Sequence, residues 1–183
     1  MSEDILVRHC SPTLVGLKTG NMFTYEFENE NDRRESIRLL NKKLGRKGIR
    51  VIPLRQKNKK TLLYVYRPSR LNKDLKDNMA KSLLENMGYE CSCPGKCLVE
   101  LVKRLRCSED FPHEVGLFLG YPPEDVFGFI NNNASDCKCC GCWKVYGDEK
   151  KAKRTFEKYK KCTEICCSLV KKGCSAEQLA VVC

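Results

Sequence analysis

No run of apolar residues in this 183-residue sequence approaches the ~18 that a membrane-crossing helix needs. Near the start, after the acidic Glu3 and Asp4, only Ile5, Leu6 and Val7 stand together, which is too short for the apolar core of a secretory signal. The expectation is a cytoplasmic protein with no membrane partner. Histidine is almost absent: His9 and His113 are the only two. His113-Glu114 does not continue to H-E-x-x-H, because position 117 is Leu, so a zinc-protease reading fails. Glycines 16, 20, 45 and 48 match no phosphate-binding loop. There is also no internal repeat and no Pro/Ser/Gly-rich linker, which favours a single domain over 1–183, with an α/β part to about residue 90 and a helical, cysteine-rich part beyond it.

Apolar residues make up 42% of the chain and charged residues 31%, enough for a packed core and too apolar for disorder. Cysteine, by contrast, is abundant, with 14 residues. Without an export signal these thiols are expected to stay reduced, leaving them as core residues, metal ligands or reactive groups. The net charge of +11 is also concentrated. Between Arg33 and Lys60 stand twelve Lys or Arg against the single acid Glu35, while the rest of the chain balances.

Periodicity predicts an α+β fold. Ser11-Pro12 reads as the start of a short helix, with Ser as N-cap and Pro at the first turn. Met22 to Phe27 alternates as a strand, and Arg33 to Lys47 is an amphipathic helix. Ile49–Leu54 and Thr61–Tyr66 form a hairpin, completing a small, mostly antiparallel three-stranded sheet in the N-terminal third. Leu71, Leu75, Met79 and Leu83 step by four along one helix. A further helix follows the Cys91–Cys97 turn, others start at Pro112 and Pro123, and a long one runs from about Asp148 to Lys172. Ser175 to Gln178 has capping-box form before a last short helix.

Three stretches resemble a bacterial family known as domain of unknown function 3793. They are His9-Cys10-Ser11-Pro12-Thr13-Leu14 with Gly16 and Lys18, then Phe111 to Ile130, then Gly141-Cys142-Trp143-Lys144-Val145-Tyr146. The resemblance implies a compact bacterial cytosolic protein and brings no activity with it.

Three sets of residues are candidates for chemistry. Cys137, Cys139, Cys140 and Cys142 contain two overlapping C-x-x-C frames, a spacing that presents thiolates to a soft metal such as zinc or iron. Further ligands would come from Cys162, Cys166 and Cys167, or from Cys91, Cys93 and Cys97. Against this, Cys162 and Cys166 fall on the apolar stripe of a helix, where cysteine acts as a small hydrophobe. Cys10, read as lying just before a helix N-terminus, would be an activated thiol, with His113 as a possible base in a catalytic pair. The third set is basic: Arg34, Arg38, Lys42, Lys57, Lys59 and Lys60 would contact nucleic-acid phosphates or an acidic protein. Phe111 to Ile130 also reads faintly as helix–turn–helix, but Glu124 and Asp125 at the second helix's start would repel phosphate. The leading expectation is a soft-metal-binding or thiol-redox accessory protein, then a nucleic-acid or acidic-partner module, then a cysteine-dependent enzyme.

Overall fold

A computed structural model describes residues 1–107 and 111–182. It has an α+β fold, and the chain divides into two compact units, Met1–Arg70 with Tyr159–Cys183, and Leu71–Lys158.

In the first unit α1 (Glu3–Leu14) precedes β1 (Gly20–Glu26), α2 (Glu30–Gly45), β2 (Arg50–Lys57) and β3 (Lys60–Tyr66). The sheet order is β1-β3-β2 and both pairings are antiparallel. A two-residue turn joins β2 to β3, with Asn58 in the left-handed conformation such turns require (φ 56°). β2 runs three residues beyond its sequence-predicted end at Leu54, because a bulge between Pro53 and Arg55 absorbs Leu54 and pairing resumes. Pro53 is tolerated there because β2 lies at the sheet edge. Central β3 buries Leu63, Tyr64 and Val65 in succession, as a strand covered on both faces does.

Helix α1 is longer than the sequence suggests and begins nine residues earlier, at Glu3 in place of Pro12. Leu6, Val7, Cys10 and Leu14 form its fully buried face, joined in one core by Phe23, Phe27, Leu44, Ile49, Val51, Leu63, Val65 and Cys166. Each such aliphatic side chain contributes ~1.5–3 kcal/mol on burial, which outweighs the preference of Pro12 for a helix start. Pro12 instead sits in the last turn of α1. Ser11 is not an N-cap; its Oγ donates back to the Val7 carbonyl at 2.5 Å.

The second unit contains most of α3 (Pro68–Asp74), then α4 (Asn78–Asn86), α5 (Pro94–Cys107), α6 (Val115–Phe118), α7 (Pro123–Asn131), the short hairpin β4 (Cys139–Cys140) and β5 (Lys144–Val145), and the first part of α8 (Glu149–Lys171). α9 (Ala176–Leu179) belongs to the first unit and carries the expected capping box between Ser175 and Gln178. The single helix predicted through Leu71 and Leu83 is two. Asp77 breaks it by capping α4, accepting from the amides of Met79 (2.9 Å) and Ala80 (3.1 Å). The buried face then shifts to Ala80, Leu83 and Leu84, and Met79 is exposed.

Arg67 is wholly buried at the end of β3. Its guanidinium donates to the carbonyls of Thr13 (2.7 Å), Leu14 (2.5 Å), Lys47 (3.1 Å) and Val181 (2.8 Å). At the opposite end of α1, Glu3 joins the helix to two distant segments: it accepts from the Ala176 amide at 3.0 Å and pairs with Lys43 at 3.2 Å. The Ala176 amide chiefly, helped by the Lys43 ammonium and opposed by partial burial, holds the Glu3 carboxyl below its ordinary range.

Replacing Arg67 by Lys keeps the charge and loses the planar fork, so several carbonyls lose their donor. Urea unfolding at pH 7 is expected to show a loss of about 2–4 kcal/mol. Glu3→Gln is expected to lose less than about 1 kcal/mol at pH 7, since the group is partly screened by solvent. Because the folded-state pKa is depressed, that contribution is present above the ordinary glutamate value of about 4.3 and disappears as pH falls through the lower folded value. Urea midpoints of variant and wild type should therefore converge in strong acid.

Candidate functional site

The second unit encloses a pocket of about 200 Å³, built from two of the stretches singled out by the sequence. Phe111, His113, Val115 and Gly116 come from the segment into α6; Tyr121, Asp125, Val126 and Phe129 come from the α6–α7 turn and α7 itself; Trp143 and Lys144 come from the hairpin. Five of these ten residues carry aromatic rings, counting the His113 imidazole. Tyr121 stacks on Trp143 with centroids 4.8 Å apart, and His113 meets Phe129 edge-on at 5.1 Å.

Asp125 holds these parts together. It is buried, and its Oδ2 accepts from the Trp143 indole at 2.7 Å. Its Oδ1 accepts from the amides of Tyr146 and Gly147, each at 2.7 Å. By sequence Asp125 is one of two acids at the start of the second helix in the Phe111–Ile130 stretch; in the fold it turns inward and fastens the hairpin. The hairpin also lies very close to its neighbours. A Cβ on Gly141 would stand 2.3 Å from the Phe156 ring, and one on Gly128 would stand 2.4 Å from the Tyr146 ring. Glycine at 141 thus serves ring packing.

Lys144 supplies positive charge. Its ammonium donates to the Ala134 carbonyl at 2.6 Å and lies 6.0 Å from the Phe129 ring centre. One hydrogen bond uses one of three ammonium protons. Ala134 itself is left-handed (φ 62°), an unusual conformation for a residue with a Cβ. Neither ring nitrogen of His113 makes a hydrogen bond to protein among the described residues. The next residue, Glu114, faces inward. It is buried, accepts from the Tyr89 hydroxyl at 2.7 Å, and faces Arg104 at 3.4 Å. Burial first, and the Glu114 carboxylate second, push the Tyr89 phenol well up, so it remains a donor.

The other sequence candidates are dispersed. Cys10 lies in the C-terminal half of α1, not ahead of a helix, and is wholly buried. The helix dipole disfavours an anion there, and burial pushes its thiol far up despite the Lys18 ammonium. The physical ground for an activated Cys10 is therefore removed. Cys10 belongs to the first unit and His113 to the second.

Cys139 and Cys140 form β4 and pair with Val145 and Lys144. Adjacent strand residues point to opposite faces, so Cys140 shares the face of Lys144 and Cys139 that of buried Val145. Cys137 is half-buried and Cys142 exposed. Partial burial and the Glu149 carboxylate push the Cys139 thiol up. Among the described residues no three His, Cys, Asp or Glu side chains gather closely enough to hold a metal ion. Cys166 lies in the first unit's core with Cys162 and Cys167 packed against it, so Cys162 and Cys166 take the hydrophobe role that their helical stripe suggests.

Arg34, Arg38, Lys42, Lys57, Lys59 and Lys60 are all exposed. Their surface is less uniformly basic than the numbering suggests. Lys60 stands opposite Glu26 in the sheet, Arg33 pairs with Glu30, and Arg38 pairs with Glu35 at 2.6 Å.

This geometry defines an α+β protein whose second unit carries an aromatic pocket closed by a cysteine-bearing hairpin. The chain belongs to the family of proteins of unknown function DUF3793, which matches residues 6–180 and so takes in both the α1 motif and the pocket. No curated protein and no solved structure matches it. No helix among the described residues is long and apolar enough to cross a membrane.

Asp125→Asn replaces one acceptor oxygen by a donor that faces another donor. Unfolding free energy is expected to fall by about 2–4 kcal/mol. Trp143, the only tryptophan in the chain, should emit at longer wavelength as the hairpin loosens.

Proposed function

We propose that the protein binds a small, flat, apolar ligand carrying an anionic group, with the ring system between Tyr121, Trp143 and Phe129 and the anion toward Lys144 and His113. The observation that carries this reading is the convergence of an aromatic wall with a cation on one preformed cavity. At about 200 Å³ it is smaller than the roughly 300–1,000 Å³ of sites for drug-sized molecules, which suits one or two rings. Binding is favoured over turnover because Asp125, the buried carboxylate at the pocket, has both oxygens engaged by the hairpin.

The other readings draw less support. A soft-metal site at Cys137, Cys139, Cys140 and Cys142 would have to gather thiolates that point to different faces of β4. A nucleic-acid or acidic-partner role for the α2 and β2–β3 surface is weakened by the acids interleaved there. A thiol-redox role draws on cysteines elsewhere in the chain. All 13 described cysteines are free.

Titration of the sole tryptophan's fluorescence with 2-naphthoate tests the ligand proposal. Saturable quenching is expected, weakened about 5- to 30-fold by Lys144→Gln, because one charge-assisted contact is lost. Neutral 2-naphthalenemethanol should bind more weakly and be nearly indifferent to that substitution. Quenching that rises linearly without saturation, or naphthoate affinity unchanged in Lys144→Gln, would overturn it.

A further inference from the structure

The turn into α5 brings two sulfur atoms together. Cys97 Sγ lies 3.7 Å from Cys91 Sγ and 3.7 Å from the Glu90 carbonyl oxygen. The turn is closed by its own contacts: Ser92 Oγ donates to Glu90 at 3.1 Å, Lys96 pairs with Glu90, and the amides of Lys96 and Cys97 donate to the Cys93 carbonyl at 3.1 and 3.4 Å. The two thiols are thus held as neighbours by the fold. They also differ in access. Cys97 is buried at 2% exposure, Cys91 is half-buried, and Cys93 beside them is exposed.

A disulfide requires the sulfurs to close by about 1.7 Å, to the ~2.05 Å bond length. Cys91 lies in a turn ahead of the helix, where side-chain rotation is free of the preceding helical turn that restricts it in α5.

We propose that Cys91 and Cys97 form a reversible disulfide by exchange with low-molecular-weight disulfides of the glutathione class, which makes this turn a redox modification site. Cys91, the more accessible thiol, attacks one sulfur of the small disulfide as its thiolate, forming a mixed disulfide and releasing one small thiolate. Cys97 then gives up its proton and attacks the Cys91 sulfur, expelling the second small thiolate. Two protein thiols lose two electrons and two protons, and the small disulfide becomes two thiols. Burial first, and the hydrogen bond to Cys91 second, push the Cys97 thiol up, so Cys97 is not the thiol that attacks first; it reacts only once the mixed disulfide at Cys91 stands beside it. This inference is independent of the pocket's ligand.

The test equilibrates the full chain with graded mixtures of oxidised and reduced glutathione, followed by acid quenching, alkylation, tryptic digestion and mass spectrometry. Cleavage after Lys96 separates the two cysteines, so a disulfide appears as peptide 82–96 linked to 97–103. The linked pair is expected to rise from a tenth to nine-tenths of the protein over an about 80-fold change in the squared-thiol to disulfide ratio, as a two-electron couple requires. It should persist in Cys93→Ser and vanish in Cys91→Ser; fragmentation of the wild-type pair identifies Cys91 even if that variant does not fold. Absence of the linked pair at every ratio, or a link through Cys93 instead, would overturn the proposal.

Discussion

The first unit depends on how the buried Arg67 guanidinium is satisfied. Helix ends leave carbonyls without intrahelical donors, and those of α1 point into the core. Arg67 takes the Thr13 and Leu14 carbonyls, the amides of Leu17 and Lys18 take that of Pro12, and the Val15 amide takes that of Ser11. The same guanidinium reaches Lys47 beyond α2 and Val181 in the C-terminal tail. A cation at the negative end of a helix is favourably placed, and the planar fork lets one side chain serve several segments. A buried charge is a poor source of net stability by itself, because desolvation opposes it. Its effect is selective: only one arrangement of α1, α2 and the tail supplies all four carbonyls.

Asp125 performs the complementary task in the second unit. Arg67 gathers carbonyls, whereas Asp125 gathers an indole N–H and two amides. Both charges are satisfied largely by groups whose position follows from the backbone. The wall of the pocket is therefore fixed by a contact that need not touch a ligand. Lys144 and His113 are left facing the cavity, with hydrogen-bonding capacity to spare. Separation of a fastening carboxylate from the available cation is what makes the cavity read as a binding site.

Much of the fold was legible in the sequence because alternation and four-residue periodicity report directly on burial. The three strands, α2, α5 and α8 follow that rule. The failures have local causes. Pro12 looked like a helix start, but the buried face of Leu6, Val7, Cys10 and Leu14 carries the helix past it. Asp77 interrupts a four-step leucine pattern because its carboxylate caps a new helix. The pocket was half legible. Its two segments stood out as motifs, yet the roles of Asp125, Lys144 and Glu114 depend on partners at sequence separations of 10 to 25 residues, which no spacing rule encodes.

The cysteines show the same limit most clearly, since composition treats alike residues that the fold makes chemically different. Cys10 and Cys166 are core hydrophobes, and burial suppresses the Cys10 thiolate. Cys139 and Cys140 occupy adjacent positions on a strand, which forces their sulfurs apart, so the densest cysteine run in the sequence is not a gathered set of thiols. Cys91 and Cys97, five residues between them and outside any familiar motif, are the pair whose sulfurs the turn brings within 3.7 Å. What decides thiol chemistry is the distance between sulfurs and their access to solvent. In this chain both are set by the backbone around each cysteine, and proximity in sequence is a misleading guide to either.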